Sequence, residues 1–308
     1  MKHKLSITLT ILGMFLLIQF IGLYVVNIYS PTQQQIVNET GQVENITIKN
    51  PLPYNLEPPE QAMDNPWQLF YNLLIGFVLA IFLIMIFMKY KWKTIIKIWF
   101  FVVIILALSI SINAFIHNLA YSSLIAFFIA LPVAYFKVYK PNIYLHNITE
   151  LLIYPGIAAV FVSILTPITI AILLILISIY DMWAVWHSGI MQKMAKFQMD
   201  ELKIFGGLMI PYIPKKLRAK IKKSKKSKKN KKIKVSLGIL GGGDIVFPII
   251  AAGSFLRAFG LIPALLVIAG AFAGLTFLMF LTQKGKYYPA MPFISGGIFI
   301  GMIISFLI

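Results

Sequence analysis

The sequence predicts an all-α membrane protein of nine transmembrane helices, and three observations carry that prediction. The 308 residues are 59% hydrophobic and 12% charged, where soluble chains are about half apolar and about a quarter charged. The apolar residues come in runs of about 20, the length of helix that crosses a hydrocarbon core about 30 Å thick. Those runs are continuous and do not alternate with period two, which excludes a β-barrel. The chain has no cysteine, so disulfide frameworks and thiolate metal sites are excluded as well.

The first run covers residues 5–26. A secretory signal has an apolar core of about 7–15 residues and a small-x-small cleavage site. This run is longer and leads into Asn27-Ile28-Tyr29-Ser30-Pro31, so it reads as a first transmembrane helix. Residues 27–66, rich in Pro, Asn and Gln and holding Glu39, Glu44, Glu57, Glu60 and Asp64, read as a hydrophilic loop. Spans two to four are expected at 67–88, 98–116 and 119–136. From Leu151 to Trp186 the chain stays apolar for 36 residues, about 54 Å as one helix and nearly twice the membrane. Pro167 cannot continue a helical ladder, so a turn at 163–167 is expected between helices at 146–164 and 167–187. Residues 188–234 form a polar loop ending in a lysine-rich tract, and the last spans are expected at 235–257, 260–282 and 287–308. Residues 1–308 are thus one polytopic domain: helices one to six over 1–187, the basic loop over 188–234, helices seven to nine over 235–308.

The lysines orient it. With the N-terminus inside, 26 of the 28 Lys and Arg residues fall on the inner side, and only Lys49 and Arg257 outside. The positive-inside rule therefore predicts a cytoplasmic N-terminus and an extracytoplasmic C-terminus. The net charge of +18 comes largely from the sixteen basic residues of the loop at 188–234. That tract has no aromatics to stack on bases, so contact with anionic lipid head groups is expected, not nucleic acid.

Of the ten acidic residues, seven fall in aqueous loops, and Glu150 reads as interfacial at the start of the fifth helix. Asp181 and Asp244 remain, each inside an apolar run. An aspartate at a helix centre costs about 2.5–3.5 kcal/mol on insertion scales, so two are hard to explain without a function. Counted along their predicted helices from the cytoplasmic side, they lie about 9 Å and about 15 Å deep at 1.5 Å per residue. The bland alternative is that each carboxyl pairs separately with a backbone group or hydroxyl. If instead the helices pack side by side, two carboxyls within about 3–5 Å could not both ionise cheaply and would share one proton. An aspartic protease needs that arrangement. Gly241, Gly242 and Gly243 just before Asp244 would leave backbone open to an extended peptide.

Tyr180-Asp181, Gly241-Gly242-Gly243-Asp244 and Pro289-Ala290-Met291-Pro292 follow one another in that order, and they resemble the YD, GxGD and PAL motifs of the presenilin and signal peptide peptidase family of intramembrane aspartyl proteases. The resemblance implies that Asp181 and Asp244 are the catalytic pair, that Tyr180 supports the first, that Gly241 and Gly243 loosen the backbone beside the second, and that Pro289, Ala290 and Met291 shape the site. It implies no cofactor and no metal, and transmembrane proteins or peptides as substrates. Met291 replaces the usual Leu at similar volume, and Gly242 fills a variable position that is usually Leu. The cytoplasmic N-terminus and Pro292 match the presenilin form, which implies substrates with their N-termini outside. Presenilins work with partner subunits and signal peptide peptidases alone, and both arrangements stay open.

A second class of function fits two intramembrane acids: a proton- or cation-coupled transporter. It predicts inverted repeats, and the two halves of the chain carry no convincing one. Prepilin peptidases also carry GxGD but typically have Lys two residues on, where this chain has Val246. Zinc proteases need His-Glu-x-x-His, whereas His3, His117, His146 and His187 are scattered. A rhomboid-like enzyme needs Gly-x-Ser-Gly, and the nearest string is Phe293-Ile294-Ser295-Gly296.

Overall fold

The computed structural model describes residues 5–37, 43–48, 50–57, 65–90, 92–188, 197–202, 204–212, 236–282 and 288–307. The lysine-rich tract with its expected lipid contacts, the loop acids Glu39, Glu60 and Asp64, and Lys284 and Lys286 lie outside the described residues. Among those described, the helices are α1 (Leu5–Ile28), α2 (Pro66–Lys89), α3 (Lys93–Ile116), α4 (Ser122–Tyr139), α5 (Ile143–Ile164), α6 (Pro167–Trp183), α7 (Gly242–Phe259), α8 (Leu261–Leu281) and α9 (Met291–Leu307). Eight are long and apolar enough to cross a membrane. The ninth, with 17 residues, reaches about 26 Å.

The break expected at Pro167 is built by a reciprocal cap. The Thr166 hydroxyl accepts from the Thr169 N–H at 3.3 Å, the Thr169 hydroxyl accepts from the Thr166 N–H at 2.8 Å, and Pro167 takes the first helical position, where its missing N–H costs nothing.

At the centre, α1 packs on α5 and α7, with Phe15, Ile18, Ala158, Val162 and Ile249 in one buried cluster. Gln19 of α1 donates from Nε2 to the Ile245 carbonyl at 3.1 Å. The hairpin of α8 and α9 is the tightest pair. A Cβ on Gly270 would run into the carbonyl oxygen of Gly297, and one on Gly297 into that of Gly270, so both must be glycine for the backbones to touch. Helices α3 and α4 pack against α5 through a second cluster around Leu108, Ala134 and Ile153. Helix α2 lies at the margin, with Ile75, Val78 and Phe82 exposed for lipid to cover.

Two regions depart from the sequence reading. Inside the loop expected at 27–66, Thr32–Val37 (β1) and Val43–Ile48 (β2) form an antiparallel hairpin. More consequentially, the seventh helix does not start at 235. Ser236–Gly241 is a strand (β4) paired antiparallel with Gly207–Tyr212 (β3), with Gly207 opposite Gly241, and α7 begins at Gly242. An apolar run next to a span reads as more helix, because composition does not distinguish a short buried strand from a helical turn. The pairing with residues some thirty positions earlier decides it.

Candidate active site

Asp181 sits near the end of α6 and is 8% exposed. Asp244 lies in the first turn of α7, not ten residues into a helix as its expected depth required. Helix α6 packs against both α7 and α9, and this three-helix seam joins residues more than a hundred positions apart. The Met291 N–H, at the start of α9, donates to Asp181 Oδ2 at 3.0 Å, and Pro289 just before it is buried. One turn back on α6, the Ser178 hydroxyl donates to the Ser295 hydroxyl at 3.0 Å. The backbone of Gly241 hydrogen-bonds to the carboxyl of Asp244, and the charge of Asp181 bears on it.

The glycines before Asp244 have separate duties. A Cβ on Gly241 would stand 3.2 Å from Asp244 Oδ2, so a side chain there would press on the carboxyl. Gly243 is exposed, and a Cβ there would make only ordinary contact with Phe247. Pro248, one turn on, has no N–H to give the Asp244 carbonyl, which loosens this first turn further.

The structure therefore brings together Asp181, Asp244, Gly241, Gly243, Pro289, Ala290 and Met291. Tyr180 stands apart. It is 43% exposed, with its ring centroid 6.2 Å from that of Trp183, because adjacent helical residues point about 100° apart and Asp181 takes the inward direction.

The hairpin that leads into Asp244 is clamped from α5. The Asn147 amide donates to the Met209 carbonyl at 2.8 Å and accepts its N–H at 3.0 Å, and His146 Nε2 bonds the Gly207 carbonyl at 2.7 Å. Since Met209 turns its backbone away from β4, antiparallel alternation makes its partner Ile239 do the same. Leu237 and Ile239 thus present their N–H and C=O groups on the outer edge of β4, with no backbone partner there among the described residues.

Glu150 is not the interfacial residue that its position predicts. It is 2% exposed, and its Oε1 lies 2.6 Å from Nζ of Lys137, itself 5% exposed. The clamp and this ion pair went unforeseen, although the signal was present: His146, Glu150 and Tyr154 recur at intervals of four along one helix, a polar stripe on a single face.

The two carboxyls thus lie among three of the nine helices that the described residues form, eight of them long and apolar enough to cross a membrane. The family described as "Signal-peptide peptidase, presenilin aspartyl protease" matches residues 40–308, and the chain belongs to it. Among solved structures, it is similar to a presenilin family intramembrane aspartate protease in a C222 crystal form, at 19% identity and a TM-score of 0.59, over 97% of this chain and 98% of that one. The P2 form of such a protease matches with a TM-score of 0.57 at 19% identity, over 97% of each chain. No curated protein matches the sequence. The chain is accordingly a multi-pass membrane protein and an intramembrane aspartyl protease.

Proposed function

We propose that Asp181 and Asp244 are the catalytic pair and that they activate water to hydrolyse a peptide bond inside a membrane-embedded helix. The observation that carries this reading is the meeting of three distant motifs at one point: Asp181 accepts the Met291 N–H at 3.0 Å while its charge bears on Asp244. Gly241, Gly243, Pro289, Ala290 and Met291 shape the site around the pair. Tyr180, on the outer face, contributes only through its helix.

The chemistry needs one proton shared by two acids. The ionised carboxylate takes a proton from water as the water oxygen bonds to the scissile carbonyl carbon, and the protonated partner gives its proton to the carbonyl oxygen. The diol then collapses. The C–N bond breaks, the pair protonates the departing amine, and a diol hydroxyl returns its proton to the pair. Water thus ends as the hydroxyl of the new carboxylic acid and one hydrogen on the amine.

Helical hydrogen bonds shield a substrate's carbonyls, so the substrate must unwind. The outer edge of β4 at Leu237 and Ile239 offers replacement hydrogen bonds to an extended segment, and that edge runs directly into Gly241 and Asp244. By the family resemblance, the substrates enter with their N-termini outside. The basic loop at 188–234 holds the inner face of the enzyme to anionic head groups.

The test is cleavage of a transmembrane peptide by purified protein in detergent. Wild type should cut, while Asp181→Ala and Asp244→Ala should not. Equal cleavage by all three would reject the assignment, and ion flux lost in both variants without any cleavage would favour a transporter.

A further inference from the structure

Asp244 has a neighbour that this chemistry leaves unused. Tyr154 lies in α5 one turn beyond Glu150 and two beyond His146, on the same face. Its side chain is buried at 4% exposure. Its hydroxyl packs on the backbone of Gly242, where a Cβ would stand 2.8 Å from the phenol oxygen. The variable position of the GxGD motif is glycine here because the phenol fills the space that a side chain would take.

Buried hydroxyls are nearly always paired. This one points first to Glu150 and is within electrostatic reach of Asp244 as well, yet it makes no geometrically full hydrogen bond to any described residue. A phenol has one proton to give, and the two carboxyls compete for it unequally. Glu150 is already compensated by the Lys137 ammonium at 2.6 Å, while none of the described ion pairs involves Asp244. The uncompensated carboxyl attracts the hydroxyl proton more strongly.

We propose that Tyr154 is a positioning residue for Asp244: its hydroxyl donates a hydrogen bond to that carboxyl in the working enzyme and, reaching past Gly242, holds it toward Asp181. The link closes by rotation of the Asp244 side chain, for which the adjoining glycines leave room. The inference rests on the reading of Asp244 as one of the catalytic pair.

Tyr154→Phe keeps the ring and removes only the oxygen. Because that oxygen makes no geometrically full hydrogen bond to the described fold, the thermal midpoint of the detergent-solubilised protein should change little. The kcat for a transmembrane peptide should fall about ten- to a hundredfold, the effect of losing one hydrogen bond to a charged group, with KM unchanged. Gly242→Ala, which displaces the hydroxyl, should reproduce the loss in kcat, and the double variant should be no slower than the slower single one. A wild-type kcat in Tyr154→Phe, with Asp244→Ala inactive, would overturn the proposal and leave the catalytic pair standing. A fall in kcat accompanied by a matching fall in thermal midpoint would overturn it too, by making the role structural. Cleavage by Asp244→Ala would instead remove the reading on which the proposal rests.

Discussion

Two groups of acids are held within this bundle on opposite terms. Between α4 and α5, the Lys137 ammonium is ringed by acceptors: Glu150 Oε1 at 2.6 Å, Thr149 Oγ1 at 2.9 Å, His146 Nδ1 at 3.2 Å and, more distantly, the His146 carbonyl at 3.5 Å. That arrangement assigns the imidazole hydrogen to Nε2, which faces the Gly207 carbonyl. Between α6 and α7, Asp181 and Asp244 lie within electrostatic reach of each other, and the described hydrogen bonds to them come from the backbone of Met291, Ala290 and Gly241. A matched cluster in a low-dielectric interior has nothing left to offer a ligand and serves as a joint. A mismatched one is held in place by the fold around it, the condition under which the proposed proton chemistry at Asp181 and Asp244 would operate.

Removing one member of each group breaks the symmetry of this comparison in opposite ways. Asp181→Ala and Asp244→Ala should each lower peptide cleavage at least about a thousandfold, since general acid–base steps contribute about 10²–10⁴. Their thermal midpoints should stay level or rise, because a mismatched charge is relieved. Lys137→Met should do the reverse. Stranding Glu150 should cost about 3–5 kcal/mol, visible as a lower thermal midpoint, and adding Glu150→Gln should recover most of it. If Lys137→Met leaves the midpoint untouched, the cluster is not the joint described here.

Smaller changes sharpen the contrast. Asn147→Ala removes both side-chain hydrogen bonds to Met209, a loss of about 1–3 kcal/mol. Hydrogen exchange should then quicken across 207–212 and 236–241, and KM for the peptide should rise with the loosened strand. Ser178→Ala deletes the hydroxyl link between α6 and α9 and should cost only about 0.6 kcal/mol, the average for such bonds in membranes. A loss of stability above about 2 kcal/mol would show that the seam depends on it.

The spans were legible because a helix in lipid must be apolar over a fixed length, and Pro167 marked its own break through a chemistry that acts within four residues. Asp181 and Asp244 stood out for the same reason, as charges where charge is expensive. The start of α7 was not legible. Ser236–Gly241 is as apolar as the span it precedes, and its strand conformation depends on a partner at 207–212 that the sequence hides in a polar loop. The same limit applied to Lys137 and Glu150, which read as ordinary lysine and carboxylate at opposite ends of a short connection until the packing of α4 on α5 puts them 2.6 Å apart.

What the sequence by itself determined was therefore what the chain's transfer into lipid governs: which segments are apolar helices long enough to span, and which two acids have no ordinary reason to be there. Only the tertiary structure decided that Asp244 opens a helix in place of riding inside one, that an α5 clamp holds the strand paired with the one leading to it, and that Tyr154 lies against Gly242. Those facts depend on which faces meet, and helix faces are chosen by non-local packing that no local pattern of residues encodes.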